Sequence, residues 1–373
     1  MKELKLLIVE DDQTAIDAYK RGIKAFNKER ELVFDNDIQI IEIPINNKDE
    51  AIFKLRSSEN NFDAAIVDLD LLGQGGQDSS GNEVIREIKN NLRFPVFVIS
   101  GTPQHIDDAL KEESSLFKII TRGEEGDYLT QIVNIYNTGI TQILNKKGKI
   151  ENHISDIFWK HLSNSLNLWI DDDIRSPDEK EESILRYTLL HMLEYLDEEK
   201  THPSEFYITK PVKQQLSTGD LISYEGNRYV VLTPACDFAI RSGGTRNVKK
   251  AFLLRVKSLI EEFPNYDKTK KISELSKTFR GKLEKVISNN NKPYFHFIPK
   301  HNTIEPGLID FQDKSSIPIE KIEESIKNEE TIRIATISLP FLKDLIERYS
   351  SYYSRQGSPD FNTDEILTSL FEY

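Results

Sequence analysis

The stretch LKLLIVEDD, residues 4–12, decides the fold of the first half of the chain. It opens with a short apolar run, Leu4–Val9, that becomes β-branched near its end. Such a run is typical of a parallel strand buried on both faces of a sheet. Three carboxylates follow at once, Glu10, Asp11 and Asp12. The sequence therefore predicts a buried strand that ends in acidic side chains.

Four more apolar runs of this kind alternate with helical patterns up to about residue 125. We predict these strands at Ile38–Ile45, Phe62–Val67, Phe94–Ser100 and Leu116–Thr121. The predicted helices between them are Thr14–Asn27, Lys48–Glu59, Glu83–Asn91 and His105–Glu113, and another begins at Tyr128. Strands that alternate with helices indicate an α/β fold, here a doubly wound five-stranded parallel sheet.

Ligands of such sheets bind at the carboxyl ends of the strands. That rule places Asp11, Asp12, Asp68 and Ser100 around one pocket. Neighbouring carboxylates repel each other, and Mg²⁺ suits a site of few carboxylates, waters and a phosphoryl oxygen. We therefore expect Asp68 to act as a nucleophile toward phosphorus beside Mg²⁺, with the Ser100 hydroxyl bonding the new phosphate. The alternative is that these acids are solvated loop side chains.

Four stretches, LLIVEDD, AAIVDLDLL, SSGNEVIREI and FPVFVISG, together resemble the CheY-like receiver domains of response regulators over residues 1–125. The resemblance implies that Asp68 accepts the phosphoryl group and that Ser100 is the switch hydroxyl. It implies that Asp11, Asp12 and the backbone carbonyl of Asp70 join Asp68 in holding Mg²⁺. A histidine kinase as partner and slow autophosphatase activity are implied as well.

Three features depart from the receiver pattern. Spacing puts Arg122 where the family has a lysine, with Thr121 and Lys118 as alternatives. Arginine keeps the charge but changes the reach and geometry of the side chain. Ile119 stands at the aromatic switch position, and the glycine-rich loop Gly73–Gly81 is longer than usual. Phosphorylation is therefore expected, whereas the conventional output switch is in question.

Charge divides the chain into two different halves. The net charge is −13, and residues 1–200 account for −15 because they hold 24 basic and 39 acidic residues. Residues 201–373 hold 25 basic and 23 acidic residues and so carry +2. Nucleic acid is disfavoured as a partner of the acidic half and left open, without being favoured, for the other.

Cysteine and hydropathy patterns indicate the cellular compartment. Cys236 is the one cysteine in 373 residues, which excludes a disulfide framework and fits a reducing cytosol. The N-terminal stretch is neither a signal peptide nor a membrane span. We expect a soluble cytoplasmic protein without a membrane partner.

Residues 126–202 show helical spacing and few strand signals. The segments are Tyr128–Leu144, Ile150–Ile170 and a helix that starts near Pro177 and runs through Leu196. We interpret them as a helical connector, either a bundle or coil that forms a homodimer or a spacer packed on the receiver. Arg186 and His191 match the Arg-x4-His pattern of a helical ribonuclease family, but a surface arginine beside a half-buried histidine is the preferred interpretation.

Residues 203–373 change to short strands separated by turns. The predicted strands are Leu221–Tyr224, Tyr229–Thr233, Ala251–Val256, Tyr294–Ile298, Gly307–Phe311 and Ile332–Ile337, with helices at Ile272–Ser288 and Pro340–Ser354. This pattern predicts a small α+β module built on an SH3-like β-barrel. The order of its elements resembles the MazF/PemK-like toxin barrel.

Some residues of this module suggest chemistry. Cys236 could act as a nucleophile together with His296 or His301. Cys236 and Asp237 with the two histidines could instead bind zinc. A buried structural cysteine is the commoner case. The basic stretch from residue 241 to residue 250 could meet phosphates or be a solvated loop.

The sequence as a whole predicts a two-component response regulator, phosphorylated on Asp68 by a histidine kinase. Its signal would be transmitted, or absorbed, through a C-terminal module that does not bind DNA. Receivers with unusual C-terminal modules occur in bacterial antiphage systems, so a second regulator or an effector protein is a candidate partner. The alternative is a toxin or ribonuclease-like effector that acts through the barrel and is gated by phosphorylation.

Overall fold

The computed structural model describes residues 2–33, 38–57, 61–71, 80–124, 126–196, 201–240, 245–355 and 360–371. The chain divides into two compact units, Met1–Leu196 and Asp197–Tyr373. Most of the predicted loop Gly73–Gly81 and the first four residues of the basic stretch at 241–250 lie outside the described residues.

The first unit contains a five-stranded sheet in which all neighbouring strands are parallel. Its strands are β1 (Lys2–Val9), β2 (Ile38–Ile45), β3 (Ala64–Val67), β4 (Val96–Ser100) and β5 (Phe117–Thr121). They lie in the order β2-β1-β3-β4-β5. The predicted doubly wound α/β sheet is thereby confirmed.

Helices cover both faces of this sheet, as the apolar strands require. The helices are α1 (Gln13–Val33), α2 (Lys48–Arg56), α3 (Ser80–Asn91) and α4 (Tyr128–Asn137). Leu7 and Val9 point into one core together with α2 and α3. Leu6 and Ile8 point into the other core with α1 and α4. Because β1 is buried on both sides, its sequence shows no polar alternation after Lys5.

The predicted helix His105–Glu113 is wrong. Two short 3₁₀ turns, Pro103–His105 and Asp108–Leu110, stand there instead. The side-chain amide of Asn82, which is buried on α3, donates to the His105 carbonyl and accepts from the Asp107 N–H. These long-range hydrogen bonds fix the turn between the two 3₁₀ segments, so tertiary contacts override the local helical pattern.

The rest of the first unit is helical. Its segments are α5 (Ile140–Leu144), α6 (Lys149–Asp156), a π-helical turn (Ile157–Leu162), α7 (Ser163–Ser165), α8 (Asn167–Ile170) and α9 (Pro177–Leu193). α9 begins with a capping box in which Ser176 and Glu179 satisfy each other's backbone N–H groups, with Pro177 at its first position. α6 and the π-helical turn pack against α9, and we call residues 149–196 the helical hairpin.

The second unit is a curled antiparallel sheet of seven strands. The strands are β6 (Tyr207–Thr209), β7 (Asp220–Tyr224), β8 (Asn227–Val231), β9 (Lys250–Ser258), β10 (Phe295–Ile298), β11 (Gly307–Pro318) and β12 (Ile332–Ile337). Their order is β10-β11-β9-β8-β7-β12-β6. Tyr207 at one edge donates its hydroxyl hydrogen bond to the Pro299 carbonyl just beyond the other edge, 2.8 Å away. The sequence predicted six of these strands and missed β6.

Helices accompany this sheet. They are α10 (Ala235–Phe238), α11 (Leu259–Glu262), α12 (Lys277–Ile287), α13 (Ile319–Lys327), α14 (Leu339–Ser354) and α15 (Thr363–Phe371). Leu342 and Leu345 of α14 pack into the core inside the curled sheet. Among the described residues, no helix is both long and apolar enough to cross a membrane.

Candidate functional site

Three carboxylates meet at the carboxyl ends of the two central strands. Glu10 and Asp11 directly follow β1, and Asp68 directly follows β3. The Asp68 N–H donates to the Val9 carbonyl at 2.9 Å, which aligns the two strand ends. One ligand oxygen from each of the three acids lies within 4.8 Å of the others. The sheet therefore brings together acids that lie far apart in the sequence.

Arg122 supplies a positive charge to this group. Its Nη2 donates to Glu10 Oε2 at 2.5 Å and to Asp68 Oδ2 at 2.8 Å. The Arg122 N–H donates to the Ser100 carbonyl, which fixes the start of the side chain beside the end of β4. Of the three residues that spacing offered for the family lysine, the structure brings Arg122 to Asp68.

Ser100 ends β4 and is buried. Its hydroxyl accepts a hydrogen bond from the Thr102 N–H at 3.2 Å. Asp68 is also buried, and its Oδ1 accepts from the Leu69 N–H at 2.8 Å. Asp70, two residues further on, is partly buried. That Asp70 lends its carbonyl to a metal stays a prediction.

Gly81 allows α3 to approach the backbone of Asp68 closely. Its N–H donates to the Leu69 carbonyl at 3.0 Å. A Cβ atom at this position would lie 2.1 Å from the Asp68 carbonyl oxygen. Only glycine fits so near a neighbouring backbone, which explains the glycine in the stretch SSGNEVIREI.

Burial and nearby negative charge raise the pKa of Glu10 and of Asp11. Burial, followed by the Asp68 carboxylate, raises the pKa of Glu10 to about 7, against the opposing effect of Arg122. Burial likewise raises the pKa of Asp11 above its usual range. Burial alone would lower the pKa of Arg122, but Glu10 and Asp68 more than offset it, so the pKa is raised. The single positive charge of Arg122 therefore does not balance the negative charges of the carboxylates around it.

Asp12 has a different environment from Glu10 and Asp11. It lies directly before α1, is exposed, and its Oδ1 accepts from the Thr14 N–H at 2.8 Å. This hydrogen bond lowers the pKa of Asp12. Asp12 therefore binds a backbone N–H at the start of α1, and its role as a metal ligand stays a prediction. Glu10 is the residue that the sequence reasoning missed, although it is the first acid after the buried strand.

The donor set fits a small divalent cation. Carboxylate oxygens are the ligands that Mg²⁺ prefers, and a Mg²⁺ site with few protein ligands leaves room for water and phosphate. The described residues contain one group of three or more potential ligands, namely Glu10, Asp11 and Asp68. This group of three acids is compatible with Mg²⁺ binding.

The other candidate residues have partners or environments of their own. Arg186 pairs with Glu182 on the exposed side of α9, whereas His191 packs against His161. Cys236 is exposed.

The candidate partners of Cys236 have contacts of their own. Buried His296 pairs with Asp344 at 3.1 Å. His301 lies beside the ring of Tyr207. In the basic stretch, the guanidinium of Arg246 makes two hydrogen bonds to Glu323.

Comparisons with known proteins give structural neighbours only. No protein-family profile matches the chain. No curated protein matches it either. Solved structures similar to part of the chain include the Salmonella typhimurium response regulator RcsB, at 14% identity and a TM-score of 0.27 over 52% of this chain and 100% of that one.

Two further neighbours are single receiver-type domains. The N-terminal domain of a response regulator/sensory box/GGDEF protein from Carboxydothermus hydrogenoformans matches at 16% identity and a TM-score of 0.25, over 36% of this chain and 98% of that one. A mutant receiver domain of the histidine kinase CKI1 from Arabidopsis thaliana matches at 13% identity and a TM-score of 0.20, over 36% and 90%. At these identities, function has to be inferred from the site itself.

Proposed function

We propose that the first unit accepts a phosphoryl group on Asp68 from the phosphohistidine of a histidine kinase. The observation that carries this proposal is the convergence of Glu10, Asp11, Asp68 and Arg122 at the carboxyl ends of the strands. An Asp68 carboxylate oxygen forms the new bond to phosphorus while the bond from phosphorus to the donor imidazole nitrogen breaks. The imidazole leaves with the bonding electrons and takes up a proton.

Each residue of the site has a defined part in this transfer. Glu10, Asp11 and Asp68 would hold Mg²⁺, which offsets charge on the phosphoryl oxygens. Arg122 is placed to stabilise negative charge beside Asp68, and its fork of N–H groups can bond phosphoryl oxygens as well as carboxylates. Ser100 supplies a hydroxyl at the end of β4. Hydrolysis of the phospho-aspartate at the same site would give the expected slow autophosphatase activity.

The test is intact mass after incubation with acetyl phosphate and Mg²⁺. Wild type should gain one phosphoryl group, about 80 Da, and Asp68→Asn should gain none. A gain in both proteins would show that another residue is the acceptor. No gain in wild type, together with no transfer from phosphorylated histidine kinases, would contradict the proposal.

A matched pair of variants tests the assignment of the ligands. Asp11→Asn should lose Mg²⁺-dependent phosphorylation, because Asp11 belongs to the carboxylate group. Asp12→Asn should keep it, because Asp12 is exposed and bonds the start of α1. The reverse result would mean that Asp12 rather than Asp11 is the metal ligand.

For the second unit we propose an interaction module rather than a nuclease. Its candidate catalytic groups are dispersed: Cys236 is exposed, while His296 is buried and pairs with Asp344. Arg246, from the basic stretch, is held by Glu323. RNA cleavage by the full chain that is lost in His296→Ala but retained in Asp68→Asn would favour the nuclease alternative instead.

A further inference from the structure

The helical hairpin exposes an unusually large amount of apolar surface. Of the residues in α6 to α9, only Ile157 is buried. Thirteen large apolar side chains of the hairpin are exposed by 36% to 94%. They are Ile154, Phe158, Trp159, Leu166, Leu168, Ile170, Ile174, Leu185, Leu189, Leu190, Leu193, Tyr195 and Leu196. Exposed apolar side chains concentrated in one segment of a chain indicate an interaction surface.

One face of α9 is already occupied within the hairpin. Tyr187 packs against Trp169 with ring centroids 5.3 Å apart, and His191 against His161 at 5.0 Å. The Trp169 indole donates to the Ser183 hydroxyl at 3.1 Å. These contacts fix which side of α9 faces its neighbour.

A second apolar stripe runs along the opposite side of α9. Leu185, Leu189 and Met192 are spaced by four and three residues, and Leu196, just beyond the end of α9 at Leu193, follows four residues later. This is the repeat of a coiled-coil seam, which needs a second helix to fill the spaces between its side chains. A helix that is apolar on two sides is stable in water only when both sides are covered. In the described part of the chain, the leucines of this seam are more than half exposed.

The size of the apolar surface matches a stable dimer. A fully buried side chain of these types removes roughly 100 Å² of apolar surface from water, and the thirteen are on average a little over half exposed, so together they offer on the order of 700 Å². A standard protein interface buries about 800 Å² per partner. The hairpin alone therefore carries nearly a whole interface.

We propose that the hairpin binds a second copy of this chain, with the α9 seams of the two copies in contact. A heptad seam is complementary to itself, as a two-fold symmetric interface requires. Glu182 and Arg186 flank the seam with opposite charges and already pair within one helix, so they can pair across it as well. The result is a four-helix bundle made of two hairpins.

This inference does not depend on the proposed phosphorylation. It rests on the exposed surface of residues 149–196, whereas the phospho-acceptor site lies at the carboxyl ends of the strands. The protein can fail to be phosphorylated and still dimerise, or the reverse. The two proposals are therefore refuted by different measurements.

The first experiment is sedimentation velocity of the full chain over a concentration series. Wild type should sediment as a species of twice the 43.1 kDa chain mass. Leu189→Glu should weaken the dimer at least about 100-fold, which is about 2.8 kcal/mol at 1.4 kcal/mol per factor of ten. Phe53→Glu is the matched control, because Phe53 is equally apolar and 75% exposed but lies on α2. A wild type that stays monomeric up to about 100 µM would overturn the proposal.

Cross-linking locates the interface without a destabilising charge. In a Cys236→Ser background, Leu189→Cys should be joined into dimers by a short bismaleimide, and Phe53→Cys should not. Equal cross-linking at both positions would mean that the hairpin is not the interface. Deleting residues 356–373 tests the other exposed apolar helix, α15. A dimer that is lost with this deletion but survives Leu189→Glu would overturn the proposal.

Discussion

Replacing Arg122 by methionine should destabilise the protein and increase its affinity for Mg²⁺. Arg122 is the cation that contacts both Glu10 and Asp68, whose side chains are almost completely buried. Methionine has a similar length but no charge, so the variant leaves the two carboxylates without a cationic partner. The same change removes the group with which a metal ion has to compete.

The magnitude follows from the burial of the pair. Removing one partner of a buried ion pair costs about 3–5 kcal/mol, because the other charge stays buried and uncompensated. The Arg122 side chain is 32% exposed, so solvent already screens part of this interaction. We therefore expect a loss of about 2 kcal/mol in the free energy of unfolding at pH 8 without Mg²⁺.

Mg²⁺ should reverse most of this loss. A ligand that binds only the folded state stabilises it by about 2.7 kcal/mol at one hundred times its dissociation constant. In wild type the ion first has to displace the guanidinium from Glu10 and Asp68. We therefore expect Mg²⁺ to bind the variant about tenfold more tightly, a difference of about 1.4 kcal/mol.

The assay is urea unfolding of wild type and variant, with and without Mg²⁺, followed by circular dichroism. Arg122→Lys should lie between the two because it keeps the charge. Arg86→Met is the control for losing an exposed ion pair, here with Asp107, and should cost less than about 1 kcal/mol. Equal stabilisation of wild type and Arg122→Met by Mg²⁺ would refute the view that Arg122 and the metal compete for the same carboxylates.

Three further predictions concern the framework of the two units. Gly81→Ala should lower the free energy of unfolding, measured in urea, by about 1–3 kcal/mol and should slow phosphorylation, because its Cβ would overlap the Asp68 carbonyl. Unchanged phosphorylation rates would contradict this steric explanation. Asn82→Ala should lower the free energy of unfolding by about 1–3 kcal/mol, because the buried Asn82 amide makes hydrogen bonds to the backbone of the turn after β4. Proteolysis near residue 106 should become faster in the same variant. Asp344 has a pKa lowered to about 2 by hydrogen bonds from His296 and Arg348. Its contribution to stability should be present above pH 4 and disappear as the pH falls toward 2, so the gap in urea midpoint between wild type and Asp344→Asn should close over that range.

Much of the sheet and the place of Asp68 could be predicted from sequence because both depend on local patterns. Apolar runs that end in acids mark buried parallel strands, and strand ends meet at one edge of the sheet. Asp68 follows the run Ala64–Val67 and so had to lie at that edge. The six strands predicted in the second unit were recognisable for the same reason, since short apolar runs were separated by turns.

The tertiary structure decided which acids converge. Glu10, Asp11 and Asp12 are consecutive, and sequence alone does not show which of them turns toward β3. The Thr14 N–H at the start of α1 donates a hydrogen bond to the Asp12 carboxylate, whereas Glu10 is buried beside Arg122, which lies 112 residues away in the sequence. Side-chain direction at a strand end depends on the helix that follows and on distant partners.

Long-range contacts also decided the departure from the expected helix His105–Glu113. Asn82 bonds the backbone at His105 and Asp107, and a turn replaces the helix that the local pattern predicts. The apolar residues of α9 stand in the sequence, but only the structure shows that the side of α9 opposite its leucine seam packs within the hairpin. Local sequence fixes which residues are apolar and how they repeat, whereas burial depends on which surfaces the rest of the chain covers.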